Sequence, residues 1–129
     1  MGCDIHMTFE RQTPDGYVKV DVPDKFDDRR YNFFAWLAGV RGTWGSGPVA
    51  AGRGIPTDST VPREALHADC DLHSHSWVGI DELVTYPYLR SAKVREGETA
   101  QDMLGERYFE ALEGWRACGV DRIVFWFDN

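Results

Sequence analysis

The chain has 129 residues, of which 43% are hydrophobic and 13% aromatic, and this is enough apolar material for a single domain over residues 1–129. Asp and Glu number 21 against 14 Lys and Arg, and the net charge of -7 argues against broad binding to nucleic acid or to an anionic membrane surface. No apolar run is long enough to span a bilayer and the start lacks a secretory signal, which indicates a cytoplasmic protein, in the host cytoplasm if a phage encodes it.

The first 22 residues are predicted to form a β-hairpin. Apolar and polar side chains alternate from Gly2 to Glu10, with Asp4 and His6 on the polar face. A turn-forming stretch at residues 13–16 follows, and a second alternating stretch completes the pair of strands. Asp4 and His6 therefore become candidate partners for polar groups that lie elsewhere in the chain.

A buried helix, predicted from about Phe26 to Ala38, leads into a loop in which six of sixteen residues are glycine. This loop also carries Arg41, Trp44 and Arg53, and such a loop can turn backbone amides and two guanidinium groups toward an anionic ligand. The glycine spacing fails as a phosphate-binding loop because no Lys followed by Ser or Thr completes the motif. A purely structural role for the loop stays open.

Residues 69–77 bring together two of the four histidines and two acids. On a straight extended backbone, Asp71, His73 and His75 would project to one side, since side chains alternate between the faces of a strand. Two imidazoles and a carboxylate form a ligand set for zinc, iron or manganese that leaves coordination positions open for water or substrate. The pattern therefore predicts a metal centre.

The rest of the chain predicts helices and one more strand. Short helical pieces are expected at residues 61–67 and 80–84, and a capping box of Thr99 and Asp102 opens the longest helix, which Gly119 closes. Residues 122–129 are apolar on both faces, which is typical of a central strand. These elements predict an α+β single domain, with a mixed β-sheet (N-terminal hairpin plus C-terminal central strand) packed by two main helices.

The first functional hypothesis is a metal-dependent hydrolase that acts on a small phosphoester or nucleotide-like molecule. The metal would be a divalent ion, zinc or manganese, that activates water while an arginine neutralises the substrate. The residues assigned to this centre are the metal ligands His6, His73 and His75 and the catalytic acids Asp4 and Asp71, each acid as ligand or base.

The alternative is a binding protein without catalysis, which captures a nucleotide signal or contacts a host protein. In this hypothesis Arg41, Arg53 and Trp44 hold a small anionic ligand. A homo-oligomer is compatible with both functional hypotheses. A third interpretation needs no ligand: His6 and His73 hydrogen-bond within a polar seam, His75 is solvated, and Asp4 and Asp71 cap turns or accept from backbone amides.

Three stretches of this sequence resemble a family of short proteins from bacteriophages and bacteria. They are the opening Met1-Gly2-Cys3-Asp4-Ile5-His6, the middle Arg53-Gly54-Ile55-Pro56 with His73-Ser74-His75-Ser76-Trp77, and the closing Val124-Phe125-Trp126-Phe127-Asp128-Asn129. The likeness spans nearly the whole chain but carries over no activity and no site. It implies a phage setting, in which two roles are expected: processing a small nucleotide or phosphoester, or capturing such a molecule from host signalling.

Overall fold

A four-stranded antiparallel sheet forms the centre of the protein. The computed structural model describes residues 2–42, 47–62, 71–85 and 87–129. The elements in chain order are β1 (Asp4–Thr13), β2 (Gly16–Lys19), α1 (Tyr31–Ala38), β3 (Leu72–Gly79), α2 (Ile80–Leu83), β4 (Lys93–Arg95), β5 (Glu98–Thr99), α3 (Ala100–Leu104), α4 (Glu106–Ala117) and β6 (Arg122–Asp128). The strand order is β2-β1-β6-β3, so the predicted hairpin and the central position of the last strand are both confirmed. All three pairings in this sheet are antiparallel, where the sequence predicted a mixed sheet.

The α+β class and the two main helices are confirmed, because α1 and α4 pack on the same face of the sheet, here called the inner face. Phe34 of α1 lies 5.1 Å from Phe127 of β6, and Trp115 of α4 lies 5.2 Å from Phe9 of β1, measured between ring centroids. The apolar side chains of β1 that the alternation predicted as one face are all buried here: Cys3, Ile5, Met7 and Phe9. Burial of these large apolar side chains supplies the main stabilisation of the fold.

The helix predicted from Phe26 is shorter than expected, since α1 begins only at Tyr31. Phe26 has a φ of 56°, and its backbone N–H donates to the side chain of Asp24 at 2.9 Å. A left-handed residue held by an Asp side chain forms a turn and cannot continue a helix. The predicted end of α1 is confirmed, because Gly39 has a left-handed φ of 71°.

The longest predicted helix is divided into α3 and α4. The capping box is confirmed, since the Thr99 side chain accepts from the Asp102 backbone N–H and the Asp102 carboxylate accepts from that of Thr99. Gly105 then adopts φ 85° and ψ 161°, which interrupts the helical path between the two helices. Of the short helix predicted at residues 61–67, residues 61 and 62 are not helical and the remainder lies outside the described residues.

The opposite face of the sheet, here called the outer face, is covered by an irregular segment of residues 53–62, here called the strap. Val61 of the strap is buried against Val124 of β6, and the half-buried Ile55, Trp77 and Trp126 pack around this pair. The sheet is therefore enclosed by helices on one face and by the strap on part of the other. Among the helices of the described residues, none combines the length and the apolar character that crossing a bilayer requires.

Candidate functional site

A β-bulge in β3 separates His73 from His75. Leu72 and His73 pair with residues 128 and 127 of β6, but the register then shifts, so that Ser76 pairs with residue 125. Ser74 within this shift has a φ of 57°. Because the extra residue breaks the alternation of side chains, the prediction that Asp71, His73 and His75 project to one side is wrong.

His73 lies with the inner-face aromatics at the end of the sheet. Its imidazole is near parallel to the ring of Phe127, with the centroids 6.1 Å apart. The two ring nitrogens lie within hydrogen-bond distance of oxygens, Nδ1 at 2.9 Å from the Ser74 hydroxyl and Nε2 at 3.1 Å from the Asn129 side-chain oxygen. The contacts of His73 are those of a residue that fixes the start of β3 to the end of β6.

His6 and His75 lie on the outer face, on either side of Trp126. The indole is near parallel to both imidazoles, with interplanar angles of 18° and centroid distances of 5.6 Å to His6 and 6.3 Å to His75. The three rings form a row because β6 lies between β1 and β3. Metal–nitrogen bonds are about 2 Å long, so two imidazoles separated by an indole cannot share one ion.

The acids of the predicted metal centre have other contacts. Asp4 accepts two hydrogen bonds from the Arg29 guanidinium, at 2.7 and 3.3 Å, and these hold the pKa of Asp4 below its ordinary value. Asp71 lies just before β3, where its backbone carbonyl accepts from the Asn129 N–H at 3.4 Å. Within residues 2–42, 47–62, 71–85 and 87–129, no group of three His, Cys, Asp or Glu side chains is arranged to hold a metal ion. The metal centre therefore stays a prediction.

The two arginines predicted to bind a ligand contact different parts of the protein. Arg53 donates to both carboxylate oxygens of Glu82, at 2.7 and 2.8 Å, and its guanidinium lies 4.9 Å from the centre of the Trp77 ring. The hydrogen bonds between them raise the pKa of Arg53 and lower that of Glu82. Arg41 lies over the ring of Tyr31 at the start of α1. Arg53 thus anchors one end of the strap, while Trp44 lies outside the described residues.

A cleft of about 320 Å³ opens between the outer face and the strap. It is lined by Thr8, Lys19 and Trp126 from the sheet and by Thr60, Val61 and Pro62 from the strap. In the part of the chain that the structure describes, the Thr8 hydroxyl, the Lys19 ammonium and the indole N–H of Trp126 donate no hydrogen bond. The lining thus combines three side chains that can donate hydrogen bonds with the apolar surface of Val61 and Pro62, and this composition is common in small-ligand pockets.

The strap side of this cleft is fixed by the buried carboxylate of Glu10. Its Oε2 accepts from the Ser59 hydroxyl at 3.1 Å, the Thr60 N–H at 2.6 Å and the Thr60 hydroxyl at 2.5 Å, while Oε1 accepts from Arg122 at 2.8 Å. Burial by itself would raise the pKa of Glu10, but the hydrogen bonds from Thr60 and Arg122 outweigh it and the pKa is lowered. Glu10, Thr8 and Lys19 were not among the residues predicted to form a site, since their only signal in the sequence was a place on the polar side of two alternating strands.

Comparison with known proteins adds no relative to this picture, since no protein-family model, no curated protein and no solved structure matches the chain. The resemblance to the phage and bacterial family therefore stays an expectation. The stretches on which that resemblance rests do come together in space: Asp4 pairs with Asp128, His73 pairs with Phe127, and the Gly54 N–H donates to the backbone oxygen of His75 at 3.0 Å.

The bulge that separates the two histidines can be tested at Ser74. Because its φ of 57° strains every side chain and β-branched ones most, we expect Ser74→Val to be less stable than Ser74→Ala by about 1 kcal/mol or more. Ser74→Gly should be more stable than Ser74→Ala by about 1 kcal/mol, since glycine adopts this conformation freely. Both comparisons remove the Ser74 hydroxyl and so cancel its hydrogen bond. If urea unfolding shows that Ser74→Val is more stable than Ser74→Gly, residue 74 lies in a regular extended strand and the bulge is contradicted.

Proposed function

We propose that this protein binds a small anionic molecule in the cleft between the outer face and the strap, without catalysing its conversion. The observation that carries the proposal is the set of three donors, on Thr8, Lys19 and Trp126, that have no hydrogen-bond partner in the described chain. A phosphate or a carboxylate is the ligand group that matches this lining, because its oxygens accept hydrogen bonds from hydroxyl, ammonium and indole N–H groups and its charge is opposite to that of Lys19.

The charge around the cleft supports an anion in spite of the net charge of -7. Lys19 is exposed and takes part in no ion pair with a described residue. The negative charge of Glu10, its cross-strand neighbour, is already compensated by Arg122 and by the donors of the strap. The ammonium of Lys19 is therefore the cation that remains available to a ligand.

The walls of the cleft indicate that the ligand also carries an apolar or flat part. Trp126, Val61 and Pro62 line the cleft with apolar surface. A volume of about 320 Å³ lies at the lower end of the range for small-molecule sites, roughly 300–1,000 Å³. A nucleoside monophosphate and an aromatic carboxylate are the ligand classes that combine these features.

The charge of Lys19 is the part of this proposal that one substitution tests. We expect Lys19→Met to weaken the binding of any anion that binds the wild type by about tenfold or more, because a hydrogen bond to a charged group contributes about 1.5–3 kcal/mol. Calorimetric titration with inorganic phosphate, nucleoside monophosphates and aromatic carboxylates measures the loss. Lys25→Met, which removes an exposed lysine outside the cleft lining, is the matched control and should bind as the wild type does. Equal weakening in the two variants, or binding of no panel member to the wild type, contradicts the proposal.

A metal-dependent hydrolase is the second candidate, and one observation favours it. Nε2 of His6 lies 3.4 Å from a carboxylate oxygen of Asp128, and this imidazole–carboxylate pair stands on the outer face next to Trp126, which lines the cleft. A histidine and a carboxylate are a common pair in divalent-metal sites. In this version of the hypothesis His6 is a ligand and His73 is not.

Elemental analysis of purified variants tests that second candidate. This candidate predicts that His6→Ala loses stoichiometric zinc or manganese while His73→Ala keeps it, because the two imidazoles lie on different faces of the sheet. A wild-type protein purified from metal-supplemented medium without bound metal, or equal loss in both variants, would argue against this site.

A further inference from the structure

The end of the strap at residues 58–62 is held in place by one carboxylate that is buried from solvent, that of Glu10. Glu10 is 0% exposed, and each of its two oxygens faces only donors: Ser59 and Thr60 on one side and Arg122 on the other. Arg122 is itself 7% exposed, reaches Asp58 of the strap at 3.0 Å and lies over the ring of Tyr17. A buried charge is tolerated only when it is paired and fully hydrogen-bonded, and Glu10 meets both conditions.

One residue held by this carboxylate, Thr60, also lines the cleft. Thr60 donates to Glu10 through both its N–H and its hydroxyl, and it lines the cleft together with the next two residues, Val61 and Pro62. These three residues are here called the roof. The other end of the strap is held independently, through the ion pair of Arg53 and Glu82.

We propose that Glu10 is a positioning residue for the ligand cleft: its carboxylate orders the roof and so sets the affinity of a site that it does not itself line. The role in affinity rests on the proposed function, whereas the ordering of the roof does not. The chemistry requires a carboxylate in particular, because the Thr60 N–H and the Arg122 Nε–H are both obligatory donors. An amide in place of the carboxylate has one accepting oxygen, so in either orientation its NH2 group faces an N–H donor.

Hydrogen exchange of the Thr60 amide tests the ordering of the roof without any ligand. In Glu10→Gln we expect the exchange rate of this amide to rise by about tenfold or more, because the glutamine amide either turns its NH2 group toward the Thr60 N–H or places it against the Arg122 N–H, and both arrangements weaken the contacts that hold Thr60. Glu82→Gln is the matched control, since it removes a carboxylate from the other end of the strap and should leave the Thr60 rate unchanged. An unchanged Thr60 rate in Glu10→Gln, or an equal rise in both variants, overturns the proposal.

The effect on binding is then separated from a general loss of stability. With whichever of phosphate, a nucleoside monophosphate or an aromatic carboxylate binds the wild type, we expect Glu10→Gln to weaken affinity by about tenfold. Val78→Ala lowers stability from the inner face, where Val78 is 0% exposed, and should bind as the wild type does. Equal weakening in both variants would mean that binding follows global stability, and would overturn the positioning role.

The two proposals fail in different ways. If the Thr60 amide is released in Glu10→Gln but no anion binds the wild type, the ordering of the roof is supported and the proposed function fails. If Glu10→Gln does not fold, Ser59→Ala removes one of the three strap donors and should raise the Thr60 exchange rate by a smaller factor. No change at Thr60 in Ser59→Ala, with global stability lowered, would then count against the proposal.

Discussion

The covering of the outer face depends on a buried ion pair between Glu10 and Arg122. An irregular segment packed over a sheet must satisfy its own backbone polar groups, because it has no ladder to join over most of its length. Glu10 accepts the Thr60 N–H and two hydroxyl groups of the strap, and Arg122 reaches Asp58. Without these contacts, Val61 would have little to hold it against Val124 beyond a small apolar patch.

The two faces of the sheet carry different sets of polar groups. The inner face is filled by aromatic side chains from β6 and the helices, and His73 joins them through Phe127 and Asn129. The outer face carries Trp126 between two imidazoles, with the cleft beside it. The bulge at Ser74 decides which histidine belongs to which face.

Local patterns in the sequence predicted correctly those elements that are determined by residues close to each other in the chain. The alternation of β1, the capping box at Thr99 and the apolar run of β6 each depend on neighbouring residues, and each prediction was confirmed. The left-handed Phe26 and the bulge at Ser74 could not be predicted, because neither residue type favours a positive φ and tertiary contacts impose it. Glu10 gave no signal of burial either, since the strap that covers it lies about fifty residues away in sequence.

The indole N–H of Trp126 offers the most direct measurement of the proposed binding site. In a proton–nitrogen correlation spectrum, with this signal assigned through Trp126→Phe, we predict that the Trp126 indole signal moves on titration with a nucleoside monophosphate. The indole N–H of Trp115 donates to the Asp24 backbone oxygen at 2.7 Å in the core, and its signal should stay in place. A Trp126 signal that stays in place while the ligand binds would contradict the location of the site, and with it the role assigned to the roof.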